Sequence, residues 1–452
     1  MLSWRAKLFC GVSAVAFAAV TTAAQVMLAA ETQGIAIDFT DSSLLASTGF
    51  NGSVSIKDTG TPANNYDGTP GGRLTYTGTV KLTRQSDGVY RHQAHNLFLN
   101  SSTPATQTVT VVAGASYKVS ITGSGQIALS DATSATVTAG SPATFTAGTA
   151  NLVCTVSGGP STAHIRRTPC DDTYIAAGAS SNFGLPFEWD TSGVLQGILV
   201  EQSATNLFLN SSVGVTQTIA VTNAAAYTVS FFGTGSITFS GANSSTLNGT
   251  GATDRVKTTF TATSTSLVCT VSGSVTNVQV ETGSVATSPI ITYGSSATRV
   301  NDDITLATTA FPFSSAAGTV FAIAEHAYVT NAADARAVSL STGGSQRHIE
   351  IFSKTGGDIL VYAGAGTFNT NTIGNTTQSF YRAAFAIASN DAMGCVNGAL
   401  GLADSSITTG QTASTLYVGR YGGLSNWAQG RIKKLMYVPR RMSNAELQAL
   451  TA

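Results

Sequence analysis

NLFLNSS stands at residues 96–102 and again, letter for letter, at residues 206–212. The register holds downstream: TQT from Thr106 returns from Thr216, Tyr117 returns as Tyr227, and GSG from Gly123 returns as GTG from Gly233. Farther on, LVCTVSG from Leu152 returns from Leu267, so the second copy has gained residues in between. Agreement kept this long marks a duplicated unit. Inside each unit apolar residues alternate with Thr, Ser and Lys: TQTVTVV, YKVSITG and ATFTA in the first copy, TQTIAVT, YTVSFFG and KTTFTA in the second. Period two in short runs closed by Gly, Asn or Ala-rich turns is antiparallel strand with one face buried. NLFLNSS itself reads as an opening strand, with Leu97 and Leu99 on one face and Phe98 on the other.

The repeat predicts tandem jelly-roll-like β-sandwiches at residues 96–181 and 206–298, joined by a connecting segment at 182–205. From residue 299 the runs lengthen: GTVFAIAEH, DILVYAG, YRAAFAIA and GRIKKLMYV predict a larger sandwich to residue 452. Near its end Ser443 precedes Glu446 by three residues, the spacing of a capping box, so a short C-terminal helix is expected. The fold class is all-β.

Composition narrows the function. Lys plus Arg, 23, equal Asp plus Glu, 23, over 452 residues. A net charge of zero attracts no nucleic acid over distance. The five cysteines, Cys10, Cys154, Cys170, Cys269 and Cys395, lack metal or disulfide spacing. They read as core-filling thiols, with one bridge among the last four as the alternative. Residues 1–30 combine Arg5 and Lys7 with a long apolar run and read as an export leader, an uncleaved anchor or an apolar plug covered by partner chains.

No G-x-S-x-G, H-E-x-x-H or G-x-x-x-x-G-K-[ST] pattern occurs. In FEWD, Glu188 and Asp190 are spaced to share a strand face, the arrangement glycoside hydrolysis uses; solvent-facing acids beside a packed Trp189 are the plainer reading. His92 and His95 lack a third metal partner, and Asn301, Asp302 and Asp303 offer hard oxygens for calcium or simply a turn. For sugar binding, Trp427, Tyr421, Arg420 and Asn426 supply a ring with adjacent polar groups, core packing of Trp427 being the other reading. Phe231 and Phe232 are consecutive, so one ring, with Phe232 the candidate, points outward or into an interface. Arg431, Lys433, Lys434, Arg440 and Arg441 form a basic cluster, read as a solvated strand face or a phosphate contact. Asn100 and Asn210 lie in Asn-x-Ser sequons that a Ser-rich chain produces easily.

Residues 83–102 (TRQSDGVYRHQAHNLFLNSS), 193–212 (GVLQGILVEQSATNLFLNSS) and 278–306 resemble the carbohydrate-binding-module-like sandwiches of bacteriophage tail fibres, tail spikes and head fibres. In that family a Glu-Gln-x-x-Thr-Asn-Leu segment opens a module; Glu201, Gln202, Thr205 and Asn206 match it. The exit is matched by Glu281, Gly283, Thr287, Ser288 and Ile290, then Thr298 and Arg299. The last third, with GRIKKLMYVPRRMSNAELQALT, is similar to concanavalin A-like (laminin G-like) domains. The resemblance implies a non-enzymatic virion surface protein that adheres to host-surface glycans, contacts other virion proteins and forms a homo-oligomer, commonly a trimer. It implies no cofactor beyond calcium in some laminin G-like domains. Residues 31–95 are then an attachment region. The leader is unusual for such proteins and keeps a secreted or cell-surface adhesin open, and capsid or tail decoration without sugar binding is the other alternative.

Overall fold

The computed structural model describes residues 35–40, 55–56, 74–170, 172–326, 335–343, 347–353, 358–364, 371–375, 380–401, 403–422 and 427–452. The leader and Cys10 lie outside them. Apart from one 3-10 turn and the helix Asn444–Thr451, the regular elements described are strands. The chain is all-β, as its alternation requires. No helix among the described residues is long and apolar enough to cross a membrane.

Each repeat builds the same small sandwich. In the first, Ala135–Thr138, Gln126–Asp131, Asn151–Ser157 and Gln107–Thr110 form one sheet, and Ala143–Thr146, Ser116–Gly123 and Pro160–Arg167 face it. In the second, Gln217–Ala220, Ser266–Ser272, Ser236–Gly241 and Thr246–Asn248 face Gly251–Thr261, Ala226–Gly233 and Val275–Thr282. Alternation sends Val119, Ile121, Leu152 and Ile165 into one core and Val229, Phe231, Leu267 and Val280 into the other. The matched Cys154 and Cys269 are free thiols buried in these cores, and burial pushes both up to about 12. Cys395 is free and buried in the large sandwich, and Cys170 is free and half-buried.

The repeated heptapeptide differs from the expected strand: only its Asn belongs to one, ending His95–Asn96 and Ala204–Asn206. The cause is the Asn side chain, which bonds the backbone two residues on and turns the chain. Asn206 Nδ2 donates to the carbonyls of Val278 (2.8 Å) and Ile290 (2.7 Å), while its Oδ1 accepts from the N–H groups of Phe208 and Val280 (both 3.0 Å). Asn96 makes the matching four bonds to Ala163, Ile175, Phe98 and Ile165. Each Asn thus ties the opening of its sandwich to the last strand and the exit, and Phe98 and Phe208 drop into the cores. Asn100 and Asn210 then turn at φ 49° and 52°, a conformation Asn tolerates better than most residues. Asn206→Ala strands up to four buried backbone groups. It should destabilise the chain by about 3 kcal/mol, against about 1 for Gln217→Ala, which bonds only at the half-exposed edge; urea denaturation followed by tryptophan fluorescence measures both.

The large sandwich is discontinuous in sequence. Among the described residues, one sheet runs Phe187–Trp189, Leu195–Val200, Gly430–Val438, Ala317–His326, Phe380–Ala388, Asp391–Val396 and Ala399–Leu400, and Ile35–Asp38 also pairs with Gly430–Val438. The opposing sheet runs Thr75–Thr77, Asp303–Ala307, Thr415–Val418, Ala335–Ser341, Arg347–Ser353, Asp358–Gly364 and Asn371–Asn375. The region expected as an attachment segment therefore supplies Ile35–Asp38 and Ser55–Ile56 to the first sheet and Thr75–Thr77 to the second, and the expected connector supplies two more to the first. Both small sandwiches are insertions into the large one. Repeats reveal inserted units, whereas three- and four-residue strands far from their partners leave no pattern to read.

Between the two sheets Val320, Ala322, Ala383 and Phe385 meet Val338, Leu340, Ile349 and Ile351. The outer face of the first sheet is divided. At one end Phe321, Ala384, Ala386 and Met436 lie under Leu447 and Leu450 of the C-terminal helix. That helix starts with the expected capping box, Ser443 accepting from the Glu446 N–H and Glu446 accepting from Ser443. The other end of this face is uncovered by the helix and is charged.

Candidate functional site

The charged end collects residues from four strands and the turn between two of them. Arg431, on Gly430–Val438, donates through Nε to Glu188 (2.6 Å) and through Nη1 to Glu325 (2.7 Å). Its side chain is about a third exposed and so remains reachable from solvent. Burial opposes its charge, but the two carboxylates overcome that and raise its pKa. Lys433, two residues on, sits 3.5 Å from the centroid of the Phe380 ring, a cation–π contact. Partial burial lowers its pKa. Arg382 is exposed on the same strand as Phe380, at the alternate position that shares its face. Asp190 closes the strip: its Oδ1 accepts from the N–H groups of Ser192 (2.8 Å) and Val194 (3.0 Å), and its Oδ2 from Gln196 Nε2 (2.7 Å).

Two features read separately in the sequence, the FEWD carboxylates and the GRIKK cations, are thus one arrangement. Glu188 is spent on Arg431 and Asp190 on its own turn. Two more of the basic cluster are also paired: Arg440 with Glu446 (2.7 Å) and Arg441 with Asp391 (2.8 Å). The three arginines of the cluster are thus held by carboxylates.

The segments that carry the family resemblance do something else. Glu201 Oε1 accepts from the Ser288 N–H and Oε2 from its hydroxyl (both 2.7 Å); the same carboxylate meets Lys81 at 3.0 Å and Arg299 at 3.5 Å. Burial opposes its ionisation, but Arg299 and Lys81 hold its carboxyl down at about 2. Lys81 also pairs with Asp302, which accepts from Tyr76 Oη (2.8 Å) and the Glu201 N–H (2.6 Å). Glu281 accepts from Thr287 (N–H 2.9 Å, hydroxyl 2.7 Å) and Gln279 (2.8 Å). These groups are almost wholly buried at the root of the second small sandwich, where it joins the large one. They fasten the domains.

Most of the sequence-derived sugar candidates are displaced by the same packing. Trp427 is a core residue whose indole N–H donates to the Asp302 carbonyl (2.6 Å). Arg420 is buried on Asp303 (2.6 Å) with its guanidinium over the Tyr417 ring. Phe232 is 3% exposed, because Tyr90 at the tip of the 82–92 hairpin covers it edge-on at 4.9 Å. Tyr421 remains half-buried near the Arg336 guanidinium. Asn426 lies outside the described residues. The three calcium candidates face protein donors: Asn301 Oδ1 takes the Ser203 N–H (2.6 Å), Asp302 takes Lys81, and Asp303 takes Arg420. Among the described residues no group of three metal-ligating side chains converges, and His92 and His95 belong to a buried network.

No protein-family model and no curated protein matches the sequence. Solved structures with similar folds include the CBM40 module of the Ruminococcus gnavus IT-sialidase bound to α2,3-sialyllactose, at 14% identity and a TM-score of 0.27, covering 31% of this chain and 84% of that one. They also include Trypanosoma rangeli sialidase in complex with sialic acid, at 12% identity and a TM-score of 0.28, covering 33% of this chain and 26% of that one.

Proposed function

We propose that the chain is a non-enzymatic adhesion protein of a bacteriophage virion surface, a tail or head fibre, and that it binds host-surface glycans along the charged end of the large sandwich. The observation that carries this reading is the Glu188–Arg431–Glu325 bridge beside Lys433 and Phe380. Guanidinium and carboxylate groups set side by side match vicinal sugar hydroxyls, which both donate and accept, and a neighbouring ring packs against their apolar C–H face. The Arg431 side chain is only partly buried and Arg382 is exposed, so each contact is weak, and copies in an oligomer would add avidity. The sequence resemblance to phage fibres supports the location.

The same contacts support binding without turnover. Glycoside hydrolysis needs one carboxyl to protonate the leaving oxygen and a second to attack or activate water. Here both glutamates share a single guanidinium, and Asp190 is engaged by its own turn.

The test is a bacterial-polysaccharide array probed with the full chain and with Phe380→Ser, together with a reducing-end assay. Wild type should be retained on a subset of glycans, Phe380→Ser should bind about tenfold more weakly, a difference of ~1.4 kcal/mol, and no glycan should be shortened. Retention on none, with rebinding to particles stripped of the protein, would replace adhesion by decoration of the particle.

A further inference from the structure

We propose that the folded chain joins Lys81 to Asp302 through an intramolecular amide bond, formed with the help of Glu201 and Tyr76. The proposal goes beyond the glycan reading and stands without it. Lys81 Nζ touches Asp302 Oδ2, and both side chains are fully buried. An amine held against a carboxyl reacts as if at very high concentration, with effective molarities of roughly 10⁵–10⁸ M for well-oriented pairs. Exclusion of bulk water removes the solvation that would otherwise keep the two groups apart as ions.

The surroundings fix the pair for that reaction. The Leu199 carbonyl takes one hydrogen of the ammonium (2.9 Å), and Glu201 Oε2 lies 3.0 Å from Nζ. The Trp427 indole N–H holds the backbone carbonyl of Asp302 (2.6 Å). On the carboxyl, the Glu201 N–H donates to Oδ2 (2.6 Å) and the Tyr76 hydroxyl to Oδ1 (2.8 Å). Burial, and then the Asp302 charge, push the Tyr76 pKa well up, so it stays a donor. Gly78 leaves that ring its room: a Cβ there would stand 2.5 Å from the Tyr76 oxygen and 3.2 Å from Asp302 Oδ1.

The step balances with no further reactant. One proton passes from Nζ to Oδ2 across their contact, leaving an amine beside a carboxylic acid. The amine lone pair forms a bond to Cγ, and the charge that develops on Oδ1 is met by the Tyr76 hydroxyl. A second proton leaves Nζ for the ionised Glu201, which passes it to Oδ2. The Cγ–Oδ2 bond then breaks with its electron pair on the oxygen, and water departs. Nζ keeps one hydrogen, and Glu201 is restored. The bond closes residues 81–302 into one covalent loop that contains both small sandwiches, next to where Thr75–Thr77 pairs with Asp303–Ala307. The duplicated unit does not bring the trio with it: the position matching Glu201 in the first copy is Arg91, which pairs with Asp87 (2.6 Å).

Mass spectrometry of the denatured full chain tests this. The wild type should weigh one water less than Lys81→Arg, once the substitution itself is allowed for. Trypsin does not cut at an acylated lysine, so its digest should contain residues 74–84 joined to residues 300–336, again short of one water. That branched peptide comes from the wild type alone and supplies the readout if a variant does not fold. Asp302→Asn should lose ammonia in place of water. In a time course of cell-free synthesis, Tyr76→Phe should reach the linked mass about a hundredfold more slowly. Mass reads the bond itself, so the result is separate from what the same charges contribute to stability. A folded wild type at its full mass, a water loss that persists in Lys81→Arg, or a dehydrated 300–336 peptide not joined to 74–84 overturns the proposal.

Discussion

Lys81→Met is expected to destabilise the protein by about 3–5 kcal/mol, the usual cost of leaving buried charge without its partner. Lys81 is fully buried, and its ammonium serves Asp302, Glu201 (3.0 Å) and the Leu199 carbonyl (2.9 Å) at once. Removing it leaves Asp302 and Glu201 facing each other, with Arg299 3.5 Å from the second. Because the desolvation of such clusters opposes their formation, deleting both charges costs less than deleting one. Lys81→Met combined with Asp302→Leu should therefore recover much of the loss, and urea denaturation of the two variants decides it. If the double variant is less stable than Lys81→Met by the full cost of another core change, the cluster is not coupled in this way. The expected structural consequence is local, since the cluster lies where residues 74–82, the start of the second small sandwich and the strand Asp303–Ala307 meet. Limited proteolysis should cut Lys81→Met near residues 199–206 and 296–303 first.

A second large effect is set by pH. Burial lowers the pKa of His95 and His326 to about 3 and of His348 to about 4, each far below the ordinary 6.5. The unfolded chain binds protons on these rings below pH 6.5 while the folded chain does not, so folding is disfavoured progressively as the pH falls from 6.5 toward the folded values. At pH 5 each ring removes ~2 kcal/mol, or ~6 kcal/mol for the three together. Glu201 acts in a lower window. Its folded value of about 2 lies below the usual 4.5, so its contribution is whole above pH 4.5 and is lost only as the pH falls further. The decline between pH 7 and pH 5 thus belongs to the histidines. The urea midpoint should fall steeply across that interval, and His348→Phe, which removes the ring packed edge-on against Phe313, should flatten it by about a quarter, because burial holds His92 down as well. An unchanged midpoint between pH 7 and pH 5 contradicts the assignment.

The parts of the molecule that were legible in the sequence are those that repeat or alternate. The duplicated units, their matched cysteines, the long strands of the last third and the capped helix follow from local patterns. What NLFLNSS does was not legible, because an Asn that clamps three segments looks the same as one in a surface turn; only its recurrence in register hinted at a fixed role. The charged strip was hidden for another reason. Glu188 and Arg431 are 243 residues apart, and their meeting depends on the strand 195–200 lying against 430–438. Phe232 illustrates the converse: alternation sends it outward from its own sandwich, and the hairpin that covers it comes from residues that precede the repeat.

The interrupted large sandwich also governs when the protein can become itself. Ile35 pairs with Tyr437, and the strand Gly430–Val438, the last of its sheet in the sequence, lies between Ile35–Asp38 and Ala317–His326. During synthesis from the N-terminus both small sandwiches emerge whole and can fold on their own local contacts, while the earliest strands wait for a partner that the ribosome has not yet made. Closure of the large sandwich waits for residues 430–438, and a ribosome stalled before residue 430 leaves two finished beads on an unfinished frame.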